Sequence, residues 1–391
     1  MAYTNDPSLV LLDLDTHNVN QLLLQPALNY ENVAQNLLGV YRIEQGVKDK
    51  LQMTHLIKPK NSLQPKTNCN TWNPTVSFGL ETRTLEVCDF EVNGEQCADE
   101  WDKGCARNLQ AAGNLVNDME ASPELNAILM AQVMLLRQGL SDDFYKVAWF
   151  GDNTFGTVDY GFDIDLSAYS VEDRAKFVTM MQHCNGWWYD IVTSAQDGKV
   201  KYVDTNDGTG SGNAINPANV IGFFQQMLIS SSMELRYWNR NRPNAEWPIF
   251  MVQSGIYRAY IQYLQSLGEL TATGLYINGA PVPGVLTWEG FPVIEIPEWD
   301  MFDNETGSLQ LTGAYAGFSM NQRALFIAQE NLVMGTDVIP FQGTNSGLQV
   351  QKSPLLKDKG KIWMLANFRF GMKYAHAKLL TVGYNSSNSY V

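Results

Sequence analysis

One segment combines carboxylates with indole rings in a pattern that carbohydrate-active enzymes use. It reads TWEGFPVIEIPEWD over residues 287–300 and contains Trp288, Glu289, Glu295, Glu298, Trp299 and Asp300. Glycosidases place two carboxylates about 5 to 10 Å apart, beside aromatic rings that bind the sugar. A strand over FPVIEIPEW places Glu295 and Glu298 on opposite faces, because their spacing is odd. We therefore favour a structural role here and predict no catalytic residue.

The remaining chemistry-bearing residues form no known catalytic or cofactor motif. His17, His55, His183 and His376 lie in unrelated segments, and none belongs to an H-E-x-x-H pattern. The glycine-rich stretch DTNDGTGSGN at 204–213 lacks the lysine and the spacing of a P-loop, so we interpret it as an exposed loop. The sequence predicts no catalytic residue, no cofactor-binding residue and no metal ligand, and hence no enzyme.

The cysteines number five, namely Cys69, Cys88, Cys97, Cys105 and Cys184. Four of them lie between residues 69 and 105, but without the C-x-x-C pairs that structural zinc sites use. The odd count and synthesis in a reducing cytosol favour free thiols. We therefore expect the cysteines to remain thiols and the assembled protein to contain no disulfides.

Composition limits the classes of protein that this chain can be. It has 391 residues, 45% hydrophobic and 17% charged, which predicts a folded protein of two to three domains. Its formal charge of −14 disfavours binding to nucleic acids or anionic membranes. The sequence lacks an apolar run of 18 residues, and its start, MAYTNDPSLVLL, is not a secretory signal, so we expect no membrane span.

Apolar periodicity predicts several helices and strands. A long amphipathic helix is predicted from Pro123 to Ala148, with Ser122 as its N-cap. Further helices are predicted after Asn216, after Ser254 with a stop at Gly268, and after Ser319, which opens a capping box. Strands are predicted at 247–252, 291–298 and 362–374, and a hairpin at 82–101. The aromatic run WWYD at 187–190 is predicted to lie in a core or a subunit contact.

The order of these elements, a long helix between an extended segment and a mixed α/β region, resembles the major capsid proteins of tailed phages, the Hong Kong 97-like fold. RTLEVCDFEVNGEQCADEW, WFGDN and WPIFMVQSGIYRAYIQYL are similar to segments in capsid proteins of phages that infect Bacteroidetes. The resemblance implies an α+β fold with an N-terminal arm, an E-loop, a peripheral domain with a spine helix, and an α/β axial domain.

The domain boundaries implied by the resemblance cover the whole chain. They give an arm at 1–60, an E-loop region at 61–105, a peripheral domain at 106–157, an axial domain at 158–340, and C-terminal strands at 341–391 that return to the peripheral domain. Residues 1–60 show little sustained periodicity, so they are expected to lie on a neighbouring subunit or on their own domain.

The function implied is structural. The resemblance implies that the chain assembles with itself into hexamers and pentamers of an icosahedral shell around double-stranded DNA, in a virion made in the host cytoplasm. Scaffolding, portal and decoration proteins would be its further partners. Two alternatives remain open at this stage, an encapsulin-like compartment and a soluble carbohydrate-active enzyme.

Overall fold

The structure, a computed structural model, describes the parts of the chain that carry its two main sheets. These are residues 41–57, 79–97, 139–140, 142–153, 162–163, 170–204, 215, 217–237, 247–268, 274–277, 280–300, 310–311, 322–337, 349–352 and 361–384. The arm before residue 41, the predicted helix start at Pro123, and Cys69 and Cys105 lie outside them.

The described helical segments are α1 (helical at 139–140 and 142–150), α2 (Val171–Gln182), α3 (Trp187–Gln196), α4 (Val220–Ser230), α5 (Met233–Arg236) and α6 (Ser254–Leu267). Among the described helices, none combines the length and the apolar character needed to cross a bilayer.

The described strands lie before, between and after these helices. They are β1 (Tyr41–Gln45), β2 (Lys50–Ile57), β3 (Gly79–Glu86), β4 (Cys88–Cys97), β5 (Phe162–Asp163), β6 (Lys201–Asp204), β7 (Ile249–Val252), β8 (Gly274–Ile277), β9 (Ala280–Trp288), β10 (Phe291–Glu295), β11 (Gln310–Leu311), β12 (Arg323–Ile327), β13 (Leu332–Thr336), β14 (Gln349–Lys352), β15 (Lys361–Tyr374) and β16 (Leu380–Tyr384).

A five-stranded sheet is built around the long strand β15. Its C-terminal part pairs with β13, its N-terminal part pairs with β14, and β13 also pairs in parallel with β1. On the opposite edge β15 pairs with β4, in a register that joins Cys88 to Phe370. One strand therefore joins segments that are far apart in the sequence.

A seven-stranded mixed sheet, in the order β6-β16-β12-β7-β10-β9-β8, has both faces buried. In β7, Phe250 and Val252 pack under α4 and α6, whereas Ile249 and Met251 pack towards the five-stranded sheet and the tryptophans of α1 and α3. Strands buried on both faces are rich in apolar residues, and β7, β12 and β16 are buried at every position, although β12 begins with Arg323 and β16 contains Thr381. With its helices and mixed sheets, the chain has the predicted α+β class.

The described end of the predicted long helix is buried on most sides. Phe144 and Val147 are buried as predicted, but so are Tyr145, Ala148 and Trp149. Its last four residues, 147–150, are apolar and buried on every side, as expected inside a core. Leu140 of the predicted stripe is half-buried, and the stripe residues before it lie outside the described residues.

Two of the remaining helix predictions are confirmed with shifted starts. The helix α4 begins at Val220 behind the N-cap Asn219, so Pro217 lies in the preceding turn instead of at the first helical position. The helix α6 has Gln253 as its N-cap and ends at Gly268 in the left-handed conformation.

The helix predicted after Ser319 is wrong. Residues 323–327 form the strand β12, whose five residues are all buried. A capping pattern is local, whereas pairing with β7 and β16 buries both faces of this apolar run and stabilises the extended form.

The hairpin predicted at 82–101 is also wrong. The strands β3 and β4 are consecutive but do not pair with each other, since β3 pairs with β2 and β4 pairs with β15. The hairpin is β2–β3, and it crosses the predicted boundary between the arm and the E-loop at residue 60. The two main sheets likewise cross the boundary at residue 340, because β13 joins the five-stranded sheet and β16 joins the seven-stranded one.

Candidate functional site

The hairpin β2–β3 is a separate two-stranded sheet that contacts the rest of the chain near its root. Its antiparallel register runs from Lys50 opposite Glu86 to Ile57 opposite Gly79. At the root, Met53 and Leu85 are 5% and 0% exposed, whereas Leu80, on the opposite face of β3, is 66% exposed. The hairpin thus packs on its own chain with one face and exposes the other.

An apolar cluster holds the root. Leu85 and Met53 pack with Val47, Val333 and Ala375, so residues from the hairpin meet residues from β13 and from the end of β15. Alternation along β3 gives the hairpin one face towards the body and one face, with Thr82 and Thr84, towards solvent.

A pair of glycines allows the hairpin to approach the sheet closely. Gly335 of β13 and Gly371 of β15 are partners in the sheet register. A β-carbon on Gly371 would overlap the backbone carbonyl of Glu86, and one on Gly335 would lie 2.6 Å from Leu85 Cδ2. Glycine at 371 therefore leaves room for the backbone at the end of β3, and glycine at 335 leaves room for the Leu85 side chain.

Polar contacts extend this attachment to α3. The Arg83 guanidinium lies 4.1 Å from the ring centroid of Tyr374, a cation–π contact, and the Tyr374 hydroxyl donates to Ser194. Beside them Lys373 Nζ donates to Asp190 Oδ1 at 2.7 Å. Burial raises the pKa of Asp190, and the Lys373 ammonium opposes that rise. The hairpin therefore rests on β15, which in turn rests on α3.

Two histidines that are distant in the sequence meet at the hairpin. The rings of His55, in β2, and His376 lie 5.3 Å apart between centroids. His376 Nδ1 accepts a hydrogen bond from the Lys378 backbone N–H at 3.2 Å, which favours the neutral ring. Burial lowers the pKa of His376, and the nearby His55 acts in the same direction. Sequence reasoning placed these residues in unrelated segments and missed the contact.

The strand β4, directly after the hairpin, is fastened to the corner between α2 and α3. A disulfide joins Cys88 to Cys184, which corrects our expectation that all cysteines are thiols. The His183 ring also hydrogen-bonds the Asp89 carbonyl oxygen and packs edge-on against Phe90, at 4.9 Å between centroids. The spacing of the cysteines does not indicate this pair, because the two residues lie 96 positions apart in the sequence and are brought together only by folding.

The carboxylate and indole segment is structural throughout its described contacts. Trp288 and Trp299 are 6% and 0% exposed, so neither indole face is open to a sugar. Asp300 accepts hydrogen bonds from Gln253 Nε2 at 2.9 Å and from the Ser254 backbone N–H at 3.0 Å, which caps the start of α6.

The strand prediction for this segment needs one correction. The strand β10 ends at Glu295, and the buried Glu298 lies in a helical turn over 297–300. Pro297 suits the first position of such a turn. Among the described residues, no group of three His, Cys, Asp or Glu side chains is arranged to hold a metal ion.

The WWYD run lies in the core, as predicted. Trp187 and Trp188 are each 1% exposed in α3, and both pack against Trp149 of α1. Trp188 also meets Trp299 edge-on at 5.1 Å between centroids.

Comparisons with known proteins find similarity at the level of structure. No family profile matches the sequence, and no curated protein is similar to it. A structure from Mycobacterium phage Ogopogo is similar at 12% identity and a TM-score of 0.47, covering 91% of this chain and 92% of the other. The capsid of Myoviridae phage XM1 is similar at 9% identity and a TM-score of 0.46, over 90% and 91%. The SrpI encapsulin complex from Synechococcus elongatus is similar at 10% identity and a TM-score of 0.42, over 93% and 91%.

Proposed function

We propose that this chain is a shell-forming structural protein with a Hong Kong 97-like fold. Its copies assemble into hexamers and pentamers of an icosahedral shell that encloses the double-stranded DNA of a tailed phage. The observation that carries the proposal is the hairpin β2–β3, a separate two-stranded sheet that packs on its own chain with one face and exposes the other, including Leu80.

The physical reason is that such a hairpin is a poor structure by itself. An isolated two-stranded sheet is marginally stable in water, and among the described strands β2 and β3 pair with each other alone, which leaves each with an open edge there. Leu80 exposes an apolar side chain on the outer face of β3. Contact with another copy of the chain supplies the missing burial, as expected for a segment that joins subunits.

The charge of the chain fits a wall around DNA. A formal charge of −14 opposes adhesion of the phosphate backbone, so the genome can move during packaging without binding the shell. In this proposal the protein is not an enzyme and binds no specific DNA sequence. Scaffolding, portal and decoration proteins are its further partners, and the virion is its location.

The proposed division of the chain keeps the arm, E-loop, peripheral and axial regions, with adjusted boundaries. The E-loop is the hairpin β2–β3 together with residues 58–78 between its strands. The five-stranded sheet belongs to the peripheral domain and the seven-stranded sheet to the axial domain.

The test is assembly with a surface variant. Leu80→Asp places a charge on the exposed end of the hairpin, and Val171→Asp places one on a residue that is 85% exposed at the first turn of α2, where an acidic side chain is tolerated. We expect size-exclusion chromatography and negative-stain microscopy to show shells for wild type and Val171→Asp, and only free subunits for Leu80→Asp.

The same experiment can overturn the proposal. A wild-type chain that remains a monomer or small oligomer under all conditions, including co-expression with neighbouring genes, contradicts shell formation. Particles that contain a protein cargo and no DNA would identify the encapsulin-like alternative instead.

A further inference from the structure

The two bonded cysteines differ in their exposure to solvent. Cys184 is 4% exposed, in the corner between α2 and α3, whereas Cys88 is half-buried at the first position of β4. A small oxidant in solution can therefore reach the Cys88 sulfur more easily than the Cys184 sulfur.

Noncovalent contacts hold the two cysteines together. Cys88 is fixed by its register opposite Phe370, and the neighbouring residue Asp89 accepts a hydrogen bond from His183, which precedes Cys184. The Cα atoms of the pair are 5.9 Å apart, inside the usual range for disulfides. These contacts do not require the S–S bond, so they position the two thiols in the reduced protein as well.

In the reduced protein the buried Cys184 thiol also has a hydrogen-bond acceptor nearby. Cys184 Sγ lies 3.8 Å from the Phe370 carbonyl oxygen, which can accept a weak hydrogen bond from an S–H group. The site therefore accommodates both the two thiols and the disulfide without an unsatisfied polar group at Cys184.

We propose that Cys88 and Cys184 form a redox latch that low-molecular-weight disulfides, such as oxidised glutathione, close after the chain leaves a reducing compartment. The Cys88 thiolate attacks one glutathione sulfur and releases the other glutathione as a thiolate. The Cys184 thiolate then attacks the Cys88 sulfur of the mixed disulfide and releases the second glutathione. Two protein thiols are oxidised, one glutathione disulfide is reduced, and the two protons pass to the released glutathione thiolates.

The position of the latch makes it relevant to the hairpin. Only Val87 separates Cys88 from the last residue of β3, and the Val87 backbone N–H donates to the Asp49 carbonyl oxygen at 3.0 Å. The closed latch therefore ties the root of the hairpin covalently to the corner between α2 and α3. Closing the latch involves two residues of one chain and does not require shell formation.

The experiment uses the full chain, purified under reducing conditions and then exposed to oxidised glutathione. Mass spectrometry of peptides cleaved without reduction should find Cys88 linked to Cys184 in wild type and in the control Cys97→Ser, which removes another thiol of β4. Cys184→Ser should accumulate glutathione on Cys88. Glutathione should add to Cys184 in Cys88→Ser at least about fivefold more slowly, because that sulfur is buried.

A second measurement on wild type covers the case in which a variant does not fold. Iodoacetamide should modify Cys88 of the reduced, folded wild-type chain faster than Cys184. Closing the latch should also raise the Tm by about 5 °C, a change that a reductant reverses. Absence of the Cys88–Cys184 peptide, or equal modification rates at the two cysteines, would overturn the proposal.

Discussion

Gly371 determines how closely the hairpin can approach the sheet. Its missing β-carbon leaves the space that the Glu86 carbonyl occupies, and its register partner Gly335 does the same for the Leu85 side chain. The neighbour of Gly371 is backbone, which cannot rotate away, whereas the neighbour of Gly335 is the end of a flexible side chain. We therefore expect the two positions to differ in their tolerance of alanine.

The first prediction is that Gly371→Ala destabilises the root of the hairpin. The added methyl group must push the end of β3 away from β15, a steric cost of about 3 kcal/mol. Chemical denaturation should show a lower free energy of unfolding, and hydrogen exchange should accelerate at residues 79–86.

The control for this prediction is Gly222→Ala in α4, where a β-carbon would meet no atom within 4 Å. Alanine in a helix is favoured over glycine by about 1 kcal/mol, so this variant should be as stable as wild type or more stable. Equal effects at Gly371 and Gly222 would contradict the role of close approach.

Among the elements, β2 is linked to the short turn after β15 through His55 and His376. The turn at 377–379 begins with the His376 ring as its cap, and it also carries Lys378, whose carbonyl accepts from Ser232. Glu81, Glu234 and Lys378 are the other charged groups that act on His376. Protonation of His376 at Nδ1 would remove the acceptor for the Lys378 N–H, which caps the turn, and would place positive charge beside His55 and Lys378.

We predict that this contact makes stability depend on pH. Burial lowers the folded-state pKa of His376 below its ordinary value of 6.5. The stability that neutral His376 contributes to the fold is therefore complete above pH 6.5 and is lost as the pH falls through the lowered pKa. His376→Asn keeps an acceptor for the Lys378 N–H but does not titrate. The wild-type chain should therefore lose more stability than His376→Asn between pH 7.5 and pH 5, as measured by thermal unfolding.

Parallel loss of stability in both proteins would assign the pH dependence to groups other than His376. Glu81 and Glu234 are present in both chains, so their protonation cancels in the comparison. The difference between the two proteins isolates the titration of His376.

The elements that the sequence predicts well are those whose signals are local. The apolar stripe of α4, the stop of α6 at Gly268 and the alternation of β15 are all properties of neighbouring residues, and the structure contains all three. Pairing partners are not local. The sequence around Thr82 indicates a strand, yet nothing in it specifies β2 rather than β4 as the partner.

The candidate site was less predictable for the same reason. Its parts come from β2, β3, the end of β15 and α3, which only the fold brings together. The glycine pair, the histidine pair and the disulfide each join residues that are distant in sequence. A single glycine in a strand pattern does indicate close approach of another backbone, and this signal was available at Gly335 and Gly371.

At the scale of the whole molecule, the two main sheets share one core, whereas the hairpin lies beside it. Tryptophans of α1 and α3 pack between residues of both sheets, including Met251 and Met372. This core should open only when the whole molecule unfolds, and the hairpin should open on its own.

The third prediction concerns protection in free and assembled states. In unassembled subunits, amide hydrogens of the half of the hairpin farther from the root, residues 54–57 and 79–82, should exchange quickly, and assembly should slow them. The amides of β7 and α6 should be protected in both states, because their residues are buried within one chain. Hydrogen exchange measured by mass spectrometry on free subunits and on shells tests this difference. Unchanged exchange in the hairpin would mean that it packs only on its own chain.

The pairing of β4 with β15 also affects how the chain is synthesised. Residues 98–360 separate the two strands, and residues 205–379 separate β6 from its partner β16. At about 5 to 20 residues per second, a ribosome needs roughly 10 to 50 s to travel from one strand of the first pair to the other. During that time β4 has an open edge and neither sheet is complete. Because β15 is translated late, the hairpin can pack on the five-stranded sheet only after nearly all of the described chain has been made.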